Sequence, residues 1–162
     1  MTAEARTRRM DSRHHPTEAS RALVALLEEE AQAFLGISAR LQGICPSHHD
    51  AGGCGCRHTP SARCTSRLAE TAGAIVQFCE RHFAAEEQLL RDAGLHAQAP
   101  ALWWAHARDH ADFMARLHGC LEVIEHTPAF RTITELIALF ERFWLAHSLD
   151  HDRPAVAVLD RG

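Results

Sequence analysis

The sequence predicts an all-α protein, on three observations. Apolar residues recur at intervals of three and four over four long windows, Pro or Gly punctuates the window ends, and no useful stretch alternates apolar and polar residues as a strand would. With 162 residues, 46% apolar and 23% charged, the chain can bury a sizeable core, which excludes wholesale disorder and a disulfide-only scaffold. We divide it into a flexible N-terminal segment, 1–16, and one helical domain, 17–162, with an insertion at 44–65.

The first helix is expected from about Thr17, an N-cap candidate behind Pro16, to Gly43, a glycine suited to a C-terminal cap, with Pro46 beyond. Its stripe Leu23, Leu27, Glu30, Phe34, Ile37, Leu41 has the stepping of a helix-packing seam, interrupted by one carboxylate. The second helix is expected from about Ser66 to Ala93, stopped by Gly94, with Ile75, Phe78, His82, Glu86 and Leu89 on one face. The third starts at Pro100, a residue favoured at the first helical position, and runs to about His126 ahead of Pro128. Its face carries Trp103, His106, His110, Phe113, Leu117, Leu121 and Ile124. The fourth opens with Thr132 and Glu135 at capping-box spacing, carries Ile133, Ile137, Phe140, Trp144 and His147, and ends before Pro154.

Each expected core stripe therefore contains ionisable groups, and an uncompensated charge inside a helical core costs several kcal/mol. Their heights agree. Glu86 and His82 lie 8 and 12 residues before Gly94, while His106 and His110 lie 6 and 10 after Pro100. His147, counted from Thr132, reaches a similar level at 1.5 Å per residue. The polar residues converge on one level of the core.

Three pairs carry the chemistry: His82 with Glu86 and His106 with His110 at i, i+4, and His147 with Asp152 at i, i+5. An i, i+4 pair puts both groups on one helical face, close enough to chelate one ion or bridge two. Imidazoles mixed with carboxylates suit first-row metals. In a chain with 13 histidines any one pair arises easily by chance, but three pairs on three core faces at one height do not.

These motifs resemble the hemerythrin family: His82-x-x-x-Glu86, His106-x-x-x-His110 and His147-x-x-x-x-Asp152, with His-Phe-Ala-Ala-Glu-Glu at 82–87, Phe113 three after His110, and Trp144-Leu-Ala-His147. The resemblance covers about residues 20–153. It implies an antiparallel, up-down four-helix bundle enclosing two non-haem iron ions, bridged by carboxylates and an oxo or hydroxo group. By it, His106, His110 and His147 would hold one iron, His82 and a ligand from the first helix the other, and Glu86 and Asp152 would bridge. It further implies that the protein binds or reacts with oxygen, peroxide or nitric oxide in sensing, scavenging or storage.

The departure lies in the first helix, where the family usually supplies a histidine and this chain has none between His15 and His48. Glu30 falls at that place, with Phe34, Gly36 and Ile37 following as the family's aromatic, glycine and aliphatic do. It is also the one member of the Glu28, Glu29, Glu30 run on the core stripe, the alternative being a solvated charge run. With Glu30, Glu86 and Asp152 ionised, the charges of two ferrous ions and one hydroxide cancel, so the extra anion favours the ferric state and redox turnover over reversible carriage. An oxidoreductase is therefore the competing function; the absence of tyrosine speaks against a tyrosyl-radical enzyme.

The insertion at 44–65 holds Cys45, His48, His49, Cys54, Cys56, His58 and Cys64, in a spacing that matches no zinc-finger template. A second metal, zinc or iron, thiol redox switching and a reduced flexible loop all stay open, and with them a third function, a regulatory module reporting redox state or metal through this loop. Cys79 and Cys120 read as small packing residues, Trp103, Trp104 and Trp144 as core or rim packing. His14, His15, His96, His118, His126 and His151 read as surface or capping residues, with His151 beside Asp152 able to support a ligand from outside.

A formal charge of −4 without a basic run gives no footprint for nucleic acid. The longest apolar runs fall short of a membrane span and residues 1–16 lack a secretory h-region, so we expect a cytoplasmic protein with neither a nucleic-acid nor a membrane partner. The absence of Lys, Asn and Tyr suggests a GC-rich, bacterial source.

Overall fold

The computed structural model describes residues 16–45 and 62–161, and these are helical almost throughout, with no strand among them. There are four long helices, α1 (Glu18–Ile44), α2 (Ala62–Asp92), α4 (Pro100–Glu122) and α5 (Ala129–His147), with a short helix, α3 (Leu95–Gln98), between α2 and α4. A π-helical turn (Ser148–Asp152) and α6 (Arg153–Leu159) follow α5. The N-terminal segment and most of the Cys/His insertion, including His48, His49, Cys54, Cys56 and His58, lie outside the described residues.

Thr17 caps α1 as expected, its hydroxyl accepting from the Ser20 N–H at 3.1 Å. The same hydroxyl donates to the Leu159 carbonyl at 3.2 Å, tying the start of α1 to the end of α6. Gly94, at φ 77°, takes the left-handed conformation that ends the second helix, and Pro100 occupies the first turn of α4.

Five boundaries differ from expectation. Gly43 does not stop α1, which runs on so that Ile44 reaches the core at 4% exposure. α2 begins at Ala62, ahead of Ser66, so Cys64 and Thr65 are helical rather than loop, and Cys64 packs against the core. α4 ends at Glu122, not near His126, and the turn that follows still buries Ile124. Thr132 is not a cap: α5 opens at Ala129 behind Pro128, and Thr132 is fully buried within it. Pro154 does not close the helical run but sits in the first turn of α6, directly after the π turn.

Two apolar clusters form the core. One gathers Ile37, Leu41, Leu68, Ile75, Phe113, Leu117, Ile133, Leu136 and their neighbours. The other gathers Leu23, Leu90, Leu95, Trp103, Ala155 and Leu159. Along α1 the second cluster comes first (Leu23) and the first follows (Ile37); α2 runs from Ile75 to Leu90 the other way; α4 goes from Trp103 to Phe113; and α5 through α6 goes from Phe140 to Ala155. On every path the step between clusters passes a buried ionisable residue: Glu30, Glu86, His106 and His110, His147 and Asp152. The core is two apolar masses with a polar layer between them.

Candidate metal centre

The seven residues singled out from the sequence meet in that layer. Glu30, His82, Glu86, His106, His110, His147 and Asp152 are all buried, at 8% exposure or less. Each arrives by helix periodicity: α2 turns His82 and Glu86 to one face, α4 does the same for His106 and His110, and Glu30 faces inward while Glu28 and Glu29 stay exposed. The π turn serves the i, i+5 pair, bringing Asp152 Oδ1 within 3.1 Å of His147 Nε2. Such turns are rare and concentrate at functional sites.

Five of the residues close a ring. From Glu86 it passes to His106 at 3.5 Å, to Asp152 at 3.5 Å, to His147 at 3.1 Å, to His110 at 3.1 Å between Nε2 atoms, and back to Glu86 at 3.4 Å. His82 joins through Glu86 at 3.9 Å and holds Glu30 at 3.4 Å. Most of these separations exceed a good N–H···O hydrogen bond, so the atoms surround a space rather than bond across it. Accordingly His82 Nε2, Glu86 Oε1, both ring nitrogens of His106 and Asp152 Oδ1 are buried without a hydrogen-bond partner. Each such group costs about 1–3 kcal/mol, which a stable core tolerates only when something satisfies them together.

The contact between His110 and His147 identifies what is required. His147 Nδ1 donates to Asp109 Oδ2 at 2.8 Å, and His110 Nδ1 donates to Glu87 Oε1 at 3.1 Å. Carboxylates only accept, so both Nδ1 atoms carry hydrogen, and the two Nε2 atoms face each other at 3.1 Å. Two lone pairs at that distance repel unless a proton or a metal ion lies between them. A carboxylate behind a histidine is also the arrangement that orients metal-bound imidazoles.

The charges show the same demand. Burial works against a charged His106, yet Asp152 and Glu86 beside it raise it to about 9. Burial is likewise overcome at His82, chiefly by Glu30, and at His147, chiefly by Asp152, and both are raised. Glu86 is held well below the usual carboxylate range despite its burial, by His106 and His110, and Asp152 is lowered by His106 and His147. In the metal-free chain protons fill the cationic role; a metal ion would displace them. The donor atoms of Glu86, His106, His110 and His147, all buried, lie within 4.8 Å of one another and could hold a metal ion.

Beside the layer lies a cavity of about 10 Å³, walled by Phe34, Phe78, Phe83, Phe140 and Trp144, with Glu30 and Cys79 on its side. That is about one water-sized volume, with Glu30 as its sole charged wall. Trp144 stacks on Phe34 at 6.0 Å and so belongs to this wall, Trp103 is core, and Trp104 is 70% exposed. Burial, then the Glu30 charge, pushes the Cys79 thiol up to about 12, so it is an inert packing group; Cys120 is half-buried.

Glu87 and Asp109 were not legible from sequence. Each sits one residue from a predicted site residue, but an acidic residue on the flank of a helix reads as solvated, and only the packing turns it onto an imidazole. His151 comes within 3.8 Å of Asp109, its ring 5.1 Å from that of His147.

No protein-family model, curated protein or solved structure matches this chain. Among the described residues no helix is long and apolar enough to cross a membrane.

Proposed function

We propose that the chain is a hemerythrin-like protein: an antiparallel four-helix bundle whose polar layer holds two non-haem iron ions and reacts with oxygen or a small relative such as peroxide or nitric oxide. The observation that carries this reading is the pair of imidazole Nε2 atoms at 3.1 Å, each backed by a carboxylate on its outer nitrogen. The alternating order of the two apolar clusters along the helices supports the up-down arrangement. Seven donor residues in one layer exceed what a single tetrahedral ion uses, which favours two ions over one.

In this reading His106, His110 and His147 would hold one iron and His82 and Glu30 the other, with Glu86 and Asp152 available to both. Glu86 contacts His82, His106 and His110, the position a bridging carboxylate needs. Ferrous iron held there would supply electrons to the incoming molecule. The chain's own residues do the rest: Asp109 and Glu87 fix the two imidazoles, the aromatic wall keeps bulk water out, and the cavity beside Glu30 admits a small uncharged molecule in preference to an ion. Glu30 in place of a neutral ligand adds a negative charge, and its burial beside His82 favours turnover with a reductant over reversible carriage.

The test is anaerobic loading of the full chain with ferrous iron, iron analysis, and addition of oxygen while visible absorption is followed. We expect about two irons per chain by the ligand count and a new absorption band on oxygenation. Iron near zero with an intact helical spectrum overturns the reading.

A further inference from the structure

A second pocket, of about 180 Å³, opens between α4 and α5 on the far side of Asp109 from the metal centre. It has room for several water molecules, enough for a small organic molecule. Phe143 supplies an aromatic surface, backed by the buried Phe113 with ring centroids 4.2 Å apart, and Leu139 adds an apolar wall. The rim carries two guanidinium groups, Arg116 and Arg142, and two carboxylates, Asp109 and Asp112.

The guanidinium groups outnumber the acids left free at the rim. Asp109 turns inward to His147 at 2.8 Å, which leaves Asp112, in a loose exposed pair with Arg108 at 3.9 Å. Among the described residues neither Arg116 nor Arg142 has an ion-pair or hydrogen-bond partner, although both are exposed at one opening. Two unpartnered guanidinium groups over an aromatic floor form a recognition surface for a planar anion: the forks take a carboxylate, and the rings take an apolar body.

We propose that this pocket binds a small organic carboxylate with a flat apolar body, its carboxylate between Arg116 and Arg142 and its body against Phe143. Phe143 stacks on His147 at 4.5 Å, so a molecule bound there sits one ring away from the metal centre. The binding itself does not depend on the metal.

Benzoate, titrated into the metal-free full-length chain by calorimetry, is the probe, with benzamide and inorganic phosphate as companions. Benzoate should bind with an affinity that falls as salt rises. Arg116→Gln with Arg142→Gln should weaken it at least 10-fold with the helical spectrum unchanged, and Ala146→Phe, which fills the pocket from its exposed rim without touching a charge, should do the same. Benzamide and phosphate should each bind at least 10-fold more weakly than benzoate, one lacking the charge and the other the apolar body. The proposal is overturned by no benzoate binding to the parent, by equal affinity in the parent and the double-Gln chain, or by either companion matching benzoate. Binding that appears only after iron loading and ignores the arginines would place benzoate on the metal, which also overturns it while leaving the metal reading intact.

Discussion

The polar layer and the apolar cluster on the side of Leu136 are built from the same four helices and are equally dry, yet opposite physics holds them. In the cluster, Leu117, Ile133 and Leu136 are fully buried and contribute through area removed from water and close contact, whatever else is bound. In the layer, burial is a cost: three carboxylates and four imidazoles face one another with several atoms unpartnered. The apolar side should hold the fold without help, whereas the layer is stable only with cations in it, protons or metal. Stability and site occupancy should therefore be separable.

The largest effect should come from breaking one region at a time. Leu136→Ala should lower stability by about 2–5 kcal/mol in denaturant titrations and leave metal stoichiometry unchanged. Glu86→Ala removes the residue that contacts three imidazoles, and metal analysis should find the site nearly empty. A Leu136→Ala chain that loses metal in proportion to its stability would show that the two regions are one.

Next is pH, where the regions should differ in sign. A raised histidine such as His106 adds stability that is complete below its unfolded value of 6.5 and is lost as pH rises through about 9. The lowered carboxylates Glu86 and Asp152 add stability above their unfolded values, 4.5 and 3.8, that is lost on acidification. The metal-free chain should thus be most stable between about 4.5 and 6.5 and weaken toward pH 9, by a few kcal/mol in order of magnitude. Metal loading should reverse the alkaline slope, because protons then compete with the ion. Parallel melting curves at pH 6 and pH 9, with and without metal, check both signs.

Finer tests lie inside the layer. Asp109→Ala frees the outer nitrogen of His147 and should weaken metal binding by about 10–100-fold. If the layer holds two irons as proposed, Glu30→Ala should weaken the one beside His82 and spare the one beside the other three histidines, and Glu30→His should slow autoxidation by removing a negative charge. Glu29→Ala, exposed on the same helix, is the control and should change neither iron content nor oxidation rate. The smallest effect concerns Cys79: with its thiol at about 12 and buried, it should resist alkylation at pH 8 until the chain is unfolded, as read by mass spectrometry.

Much of the layer was written in the spacing. A 3.6-residue period decides which residues share a face before anything packs, so Glu30 could be separated from Glu28 and Glu29, and His82, Glu86, His106 and His110 assigned inward, from residue numbers alone. Strong local signals placed Thr17 as a cap, Gly94 as a stop and Pro100 as a start, because each acts on its own backbone. Where the outcome depended on a partner elsewhere in the chain, local reading failed. Thr132 has the chemistry of a cap but is drawn into the core, Gly43 is carried past by the burial of Ile44, and the fourth helix passes Pro154 through a π turn that aims Asp152 at His147.

The sequence by itself determined four helices and the inward face of each, including a line of ionisable residues that no apolar core would tolerate unaided. Only the tertiary structure decided that the layer lies between two apolar clusters, that Glu87 and Asp109 stand behind His110 and His147, and that Arg116 and Arg142 share an opening. The reason is physical. Periodicity is a property of one helix and its hydrogen bonds, whereas the partner of a side chain on the flank of a helix depends on how a second helix packs against it, and no spacing within either strip of sequence records that.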